Sequence, residues 1–512
     1  MRPWAVIALC VCAGCDLGPE YRRPAEDVPA QFRAAADTRA VWPDPGWWRG
    51  FHSADLDALE ETARQNSPDI AAAIARVIQA DAQVRQAGAP LLPSLTGSGG
   101  YTYQHAGYTR SFGAGGIGTS GLTSSQAAAA AAAAGSTSRY FDLRTFQGQL
   151  GVSYEADFWG KNRAALESAT ANAMFSRFDQ ETTALTVATS VATTWFNALG
   201  YADRLAIANS NVADAEQSLR AIQGRLAVGT ANALDEAQQK TQVQVQQATV
   251  PNLQSQMEQQ IIALSILVGR PPERITAKPG SLTTLDVPEV APGLPSDLLL
   301  RRPDVAAAEA QLVAANANVK VARAAFFPQI PLTASGGVQA GALTALFGPG
   351  AYFAQLAASL TQPIFDGGTL RGQLDQAKGR YAELLADYKK AILQAFSDVD
   401  TALTAYRYAT VQEKLQAQAV ATAQRAADIA QAQLLAGTVD ITALLQAETT
   451  LFNERDVLSQ VRLARLQALL NLYKALGGGW QAPAGPIPDR FPGLHPGRIP
   501  GGVALPVGGN VE

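Results

Sequence analysis

Apolar and polar residues alternate along Phe146–Asp157. Phe146, Gly148, Leu150, Val152, Tyr154 and Ala156 fall on one side, and Gln147, Gln149, Gly151, Ser153, Glu155 and Asp157 on the other. A period of two marks an extended strand. The alternation recurs three times: Leu95, Gly97, Gly99, Tyr101 and Tyr103 against Thr96, Ser98, Gly100, Thr102 and Gln104; Leu332, Ala334, Gly336, Val338 and Ala340 against Thr333, Ser335, Gly337 and Gln339; and Tyr352, Ala354, Leu356, Ala358 and Leu360 against Gln355, Ala357, Ser359 and Thr361. The pattern predicts strands over about 95–104, 146–157, 332–340 and 352–362. About ten residues tilted near 45° cross a bilayer. A soluble sandwich with one wet face has the same alternation. Single-chain bacterial barrels start at about eight strands, and an open sheet edge in lipid leaves N–H and C=O groups unpaired. Four strands therefore have to share a barrel with other chains. Three copies supply twelve strands, so the expectation is a trimeric pore.

Between and after the strands the period lengthens. From Gly160 to about Val228 there is no Pro and the only glycines are Gly160, Gly200 and Gly224. A continuous helix of that length measures roughly 100 Å. Gly229-Thr230 breaks it, and a return helix is predicted from Asn232 to Leu267, kinked at Pro251. Thr369–Ala436 is a second long helix. Its apolar positions Leu370, Leu374, Ala377, Tyr381, Leu384, Tyr388, Ile392, Ala395, Val399 and Leu403 recur at nearly the undistorted helical spacing, which suits nearly straight helices lying side by side.

The chain is an internal duplication. Arg302-Pro303-Asp304-Val305-Ala306-Ala307-Ala308 repeats Ser67-Pro68-Asp69-Ile70-Ala71-Ala72-Ala73 at an offset of 235. Phe365-Asp366-Gly367 repeats Phe158-Trp159-Gly160 at 207, while Gly437-Thr438 repeats Gly229-Thr230 and Leu476-Gly477 repeats Val268-Gly269 at 208. The first half thus holds about 28 extra residues, in the Gly/Ser/Ala-rich stretch 105–144, which is read as an external loop. The predicted organisation is a signal peptide over 1–14, an N-terminal arm and docking segment over 15–66, a first repeat over 67–270, a Pro-rich linker over 271–301, a second repeat over 302–476 and a flexible tail over 477–512.

Composition narrows the function. The net charge of −4 provides no basic footprint for nucleic acid. The three Cys (10, 12 and 15) all sit at the N-terminus, and the three His (52, 105 and 495) are scattered. No catalytic, cofactor or metal site is expected from them, and no GxxxxGK[ST] nucleotide loop is present. Arg2, the apolar run Trp4–Cys12 and Ala13-Gly14 before Cys15 read as a secretory signal ending in a lipoprotein box, with Cys15 as the acylated residue. An ordinary cleaved signal is the alternative. Asp16 after the Cys is in tension with an outer-membrane address.

Several stretches resemble the TolC-like outer membrane factors, in the lipoprotein branch serving resistance-nodulation-division efflux pumps. They are Gly18-Pro19-Glu20-Tyr21-Arg22-Arg23-Pro24, Trp47-Trp48 with Phe51, Val250-Pro251-Asn252-Leu253, Phe326-Phe327-Pro328, Phe365-Asp366-Gly367-Gly368 and, most specifically, Leu294-Pro295-Ser296-Asp297-Leu298-Leu299-Leu300-Arg301-Arg302-Pro303-Asp304-Val305. The resemblance covers Cys15 to Leu476. It implies an α+β membrane protein in which four strands per chain join a shared trimeric twelve-strand barrel in the outer membrane. It also implies a periplasmic tunnel of twelve helices and an equatorial belt built from the arm, the linker and the tail. The implied partners are two further copies of the chain, outer membrane lipid, a periplasmic adaptor (membrane fusion) protein and an inner-membrane efflux pump. The breaks at Gly229-Thr230 and Gly437-Thr438 would then be periplasmic tips that meet the adaptor, and Asp440 would ring the closed entrance. As plain sequence features, the two breaks are helix-ending turns and Asp440 is a helix-start acid. Two rival functions are a diffusion porin, which needs only short periplasmic turns, and a periplasmic adaptor, which lacks membrane strands.

Overall fold

A computed structural model describes residues 18, 20–25, 28–33, 40–110, 137–275 and 278–481. The expected signal peptide, Cys15, the alanine run 127–134 and residues 482–512 of the tail lie outside the described residues.

The described chain forms two compact units, each assembled from both halves of the sequence. The first comprises the described residues of Val84–Glu167 and Ala317–Ala377, with Gly18. Its centre is an antiparallel four-stranded sheet of β2 (Ser94–Arg110), β3 (Thr137–Glu155), β5 (Pro331–Ala340) and β6 (Tyr352–Ala358), in that spatial order. Cross-strand partners share a face, so the register settles how the four alternations combine. Leu95 pairs with Val152, Val152 with Ala334 and Ala334 with Leu356. One row on, Gly97, Leu150, Gly336 and Ala354 align, followed by Gly99, Gly148, Val338 and Tyr352. The four apolar sets therefore occupy one face, and Ser98, Gln149, Gly337 and Phe353 mark the other.

Four strand ends differ from expectation. β2 and β3 continue as a paired hairpin to Arg110 and Thr137, through a stretch read as loop. Its Gly- and Ser-rich sequence lacks an apolar alternation, but antiparallel pairing requires only backbone groups. β3 stops at Glu155 because the Asp157 carboxylate turns to accept the N–H groups of Asn162 (3.2 Å) and Arg163 (2.9 Å), opening the next helix. β6 stops at Ala358, and Thr361 makes only an isolated bridge to Gln329. Trp159 stacks on Phe327 (5.0 Å between rings), and its indole N–H donates to the Pro328 carbonyl at 2.7 Å, tying the two repeats together below the strands.

The second unit comprises the described residues of Glu20–Gln83, Ser168–Asn316 and Lys378–Gln481. It holds α1 (Ala54–Asn66), most of α2 (Pro68–Gly88), of α3 (Lys161–Ala227) and of α5 (Pro303–Ala324), all of α4 (Ala233–Leu267) and α7 (Ile441–Ala475), and most of α6 (Thr369–Leu435). The duplication is visible in lengths: α3 and α6 each have 67 residues, and α4 and α7 each have 35. α4 continues through Pro251. Of the periodic positions on α6, Leu384, Tyr388, Ile392, Ala395 and Val399 are buried.

An aromatic core occupies this unit. Trp47, on a 3-10 turn, stacks on Tyr473 of α7 at 4.9 Å, and Phe51 packs edge-on against Phe196 of α3 at 5.1 Å. Phe32 packs against Phe396 in an adjoining cluster with Leu298, Val305 and Leu472. β1 (Ala40–Val41) pairs with β4 (Ala291–Pro292), so the N-terminal arm and the linker form a short sheet. The buried Arg302 guanidinium binds Asp304 and Asp398 at 2.6 and 2.9 Å. The first residues of the expected flexible tail are folded: the Gly477 and Gly478 N–H groups close the end of α7, and Trp480 packs edge-on against Phe178.

Candidate functional site

Two features are candidates for function: the sheet and the paired helix tips. On the apolar face of the sheet Leu95, Leu150, Tyr101, Tyr352 and Leu356 are each more than half exposed. Large exposed apolar patches mark surfaces made for another apolar medium. Tyr101 and Phe146 lie against each other at 4.8 Å near one margin, as an interfacial aromatic girdle requires. The opposite face offers uncharged hydrogen-bonding groups: Thr96, Ser98, Thr102, Gln147, Gln149, Ser153, Thr333, Ser335, Gln339 and Gln355. β2 and β6 are the edges of this sheet, with no further strand beside them among the described residues.

The tips are two copies of one local design. At the end of α3 the Gly229 N–H donates to Leu226 O (3.0 Å) and the Thr230 N–H to Arg225 O (2.8 Å). At the end of α6 the Gly437 N–H donates to Leu434 O (3.1 Å) and the Thr438 N–H to Gln433 O (2.9 Å). This is the Schellman pattern, which satisfies the last helical carbonyls and needs a left-handed residue. Gly229 and Gly437 supply it, with φ of 74° and 71°. The Thr230 and Thr438 hydroxyls each donate to the same carbonyl as their own N–H. All four residues are exposed.

The helix starts beyond the tips differ. Asn232 caps α4 in a reciprocal box: its side chain accepts the Asp235 N–H at 3.0 Å, and the Asp235 carboxylate accepts the Asn232 N–H at 3.0 Å. Asp440 caps α7 alone, accepting the Thr442 hydroxyl and, at 3.2 Å, the Ala443 N–H. Its carboxylate is exposed, and the Thr442 hydroxyl first, then the Ala443 N–H, hold it below the usual carboxylate range.

Arg225 joins the two tips. Its guanidinium donates to the Thr230 carbonyl (3.2 Å) and to the Leu434 carbonyl at the end of α6. Ile222, Ala430, Leu434, Ile441 and Leu444 form the apolar cluster behind them. Sequence reasoning missed Arg225, because an arginine in the last turn of a helix reads as ordinary dipole compensation.

The profile of outer membrane efflux proteins matches residues 59–270 and 294–478. A Pseudomonas aeruginosa relative, the pyoverdine export outer membrane protein OpmQ, is 38% identical over 484 residues, covering 94% of this chain and 98% of its own length. The cation efflux system protein CusC of Escherichia coli K12 is 30% identical over 493 residues, covering 94% of this chain and all of its own. Among solved structures, the open state of the Neisseria gonorrhoeae MtrE outer membrane channel superposes with a TM-score of 0.78 at 26% identity, covering 91% of this chain and 99% of its own.

Proposed function

We infer the cargo and the working residues of this molecule from one premise: the chain belongs to the outer membrane efflux protein family. It is the outer membrane channel of a tripartite efflux system. It works as a homotrimer with a periplasmic adaptor and an inner-membrane pump, and conducts exported molecules through a shared barrel and a helical tunnel. The observation that carries this reading is the strand register, which collects four apolar alternations on one face and mostly polar groups on the other. We assign it conduction without bond chemistry, the energy coming from the pump.

In this reading the turns at Gly229-Thr230 and Gly437-Thr438 meet the adaptor, and three Asp440 carboxylates ring the entrance, where like charges attract cations. Cys15 carries the lipid anchor. The mass of the mature N-terminal peptide tests that assignment, and an unmodified Cys15 ends it.

For cargo, the lumen face of the sheet presents mainly Thr, Ser and Gln, with Glu155 at the end of β3 and Phe353 on β6. Such a lining suits a water-soluble compound, and we place the cargo nearer to pyoverdine, named for the 38% relative, than to toluene, named for a Pseudomonas putida relative at 32%. Expression in a strain lacking OpmQ and in one lacking TtgC, the toluene efflux relative, tests this. Pyoverdine returning to the medium supports it; restored toluene tolerance without pyoverdine export refutes it.

A further inference from the structure

Two apolar layers fill the space between the helices near the tips. One holds Ile222, Leu434, Ile441 and Leu444; the other holds Ala215, Val243, Leu451 and Phe452. Glu448 of α7 lies between Leu444 and Leu451 and is 5% exposed. Ser218 of α3 donates its hydroxyl to one oxygen, and Gln239 of α4 donates its amide to the other at 3.1 Å. The Gln239 amide also donates to the Ala215 carbonyl (3.1 Å), and its own oxygen is buried without a hydrogen-bond partner. Ser218 and Gln239 are as deeply buried as Glu448.

Among the described residues, no cation is paired with this carboxyl. On α3 the charged group acting on it is Asp214, of like sign, itself bound by Arg455 of α7 at 2.9 Å. On α4 the facing group is neutral Gln239, and the next residue, Lys240, is exposed. The α6 residues in the adjoining layers are Ala423, Ala427, Ala430 and Leu434. Arg225 is committed to two carbonyls. A carboxyl buried among neutral donors, with like charge beside it, holds its proton more tightly than an exposed one.

We propose that the Ser218–Glu448–Gln239 layer is a proton-operated latch on the tip: with its proton, Glu448 keeps α7 packed on α3 and α4, and loss of the proton loosens the first turns of α7. Asp440 begins that helix eight residues away, about 12 Å, so, resting on the proposed placement of Asp440, the loosened segment is the one that carries the entrance. Burial pushes the Glu448 carboxyl up; the Ser218 and Gln239 bonds pull it part of the way back, and Asp214 raises it again. A carboxyl raised in the packed form binds its proton there more tightly than in the open form. The packed form's advantage is therefore complete below the ordinary carboxyl range and is lost as pH rises through the raised value.

The test uses the full chain with spin labels on two exposed positions, Gln217→Cys on α3 and Gln446→Cys on α7, and measures their separation from about pH 5 to about pH 9. This readout follows helix packing and does not depend on cargo or conduction. The long-distance population is expected to grow with pH by up to about tenfold per unit around the midpoint. Glu448→Gln is expected to hold the short distance throughout. Ser218→Ala removes a donor to the charged form and should move the midpoint up by about one pH unit. Separations that do not change with pH overturn the latch, as does Glu448→Gln titrating like the parent. Should Glu448→Gln not assemble, the Ser218→Ala midpoint decides alone, and an unmoved midpoint refutes the proposal.

Discussion

Adjacent residues on β3 should respond oppositely to the same substitution. Leu150 faces outward with Gly97 and Gly336 beside it, and Gln149 faces the lumen between Ser98 and Gly337. Leu150 lies five residues from the end of β3 at Glu155, about 17 Å along the strand. At a tilt near 45° this is about 12 Å of depth, close to the middle of a hydrocarbon layer about 30 Å thick. An arginine on the lipid face at mid-depth costs about 2–4 kcal/mol. Leu150→Arg, present in all three copies, should therefore weaken the trimer by about 6–12 kcal/mol, less whatever the side chain recovers by reaching for the interface. Gln149→Arg loses one hydrogen bond from Gln147, about 1 kcal/mol, and adds three positive charges to the lumen. The assay is the yield of trimer in the outer membrane fraction and its survival in detergent on heating, followed by single-channel recording. Leu150→Arg should lose the trimer. Gln149→Arg should keep it and shift ion selectivity toward anions. Equal loss of trimer in both variants, or loss in Gln149→Arg alone, would show that the faces are assigned wrongly.

Further outcomes follow from the tips and the aromatic core. Asp440→Ala should relieve divalent-cation block of single-channel current, and an unchanged block defeats the carboxylate ring. Within one chain Thr442 and the Ala443 N–H hold the Asp440 carboxyl down, while the two like charges beside it in the ring push it up, so block in the parent protein should be lost as pH falls through the carboxylate range. The same sign applies to its helix cap, whose stabilisation is present above the ordinary carboxyl range and is lost as pH falls through the depressed value. Trp47→Ala removes the stack on Tyr473 and opens a cavity in a buried core, which should cost about 3–5 kcal/mol, read as a lower urea midpoint; a midpoint within error of the parent contradicts the packing.

The strands were legible because each must present one face to lipid, a constraint that writes itself into every second residue from Leu95 to Tyr103 and from Leu332 to Ala340. The four helix breaks were legible for a similar local reason, since only glycine closes a left-handed turn cheaply. What escaped was decided by backbone pairing or by distant partners. The hairpin runs past Tyr103 because hydrogen bonding continues where the apolar pattern stops. β3 ends where Asp157 caps a helix; in the other repeat Asp366 does the same for α6, accepting the Gly368 and Leu370 N–H groups from a different offset. The pairing of Ala40–Val41 with Ala291–Pro292 joins two stretches whose prolines argued for coil. At the tips Gly229, Thr230, Gly437, Thr438 and Asp440 could be picked out by their local chemistry. Arg225 and Glu448 could not, because what distinguishes each is a neighbour some two hundred residues away.

The matched lengths of α3 and α6, and of α4 and α7, bring both hairpins of one chain to equivalent ends, yet their caps are not interchangeable. One carboxylate is locked in a reciprocal pair with Asn232; the other, on Asp440, stays open to solvent. Three copies around an axis therefore present six ends of two alternating chemical kinds. Whatever closes over that rim must read a threefold pattern beneath an almost sixfold outline, so identical docking modules arriving there cannot all make the same contacts.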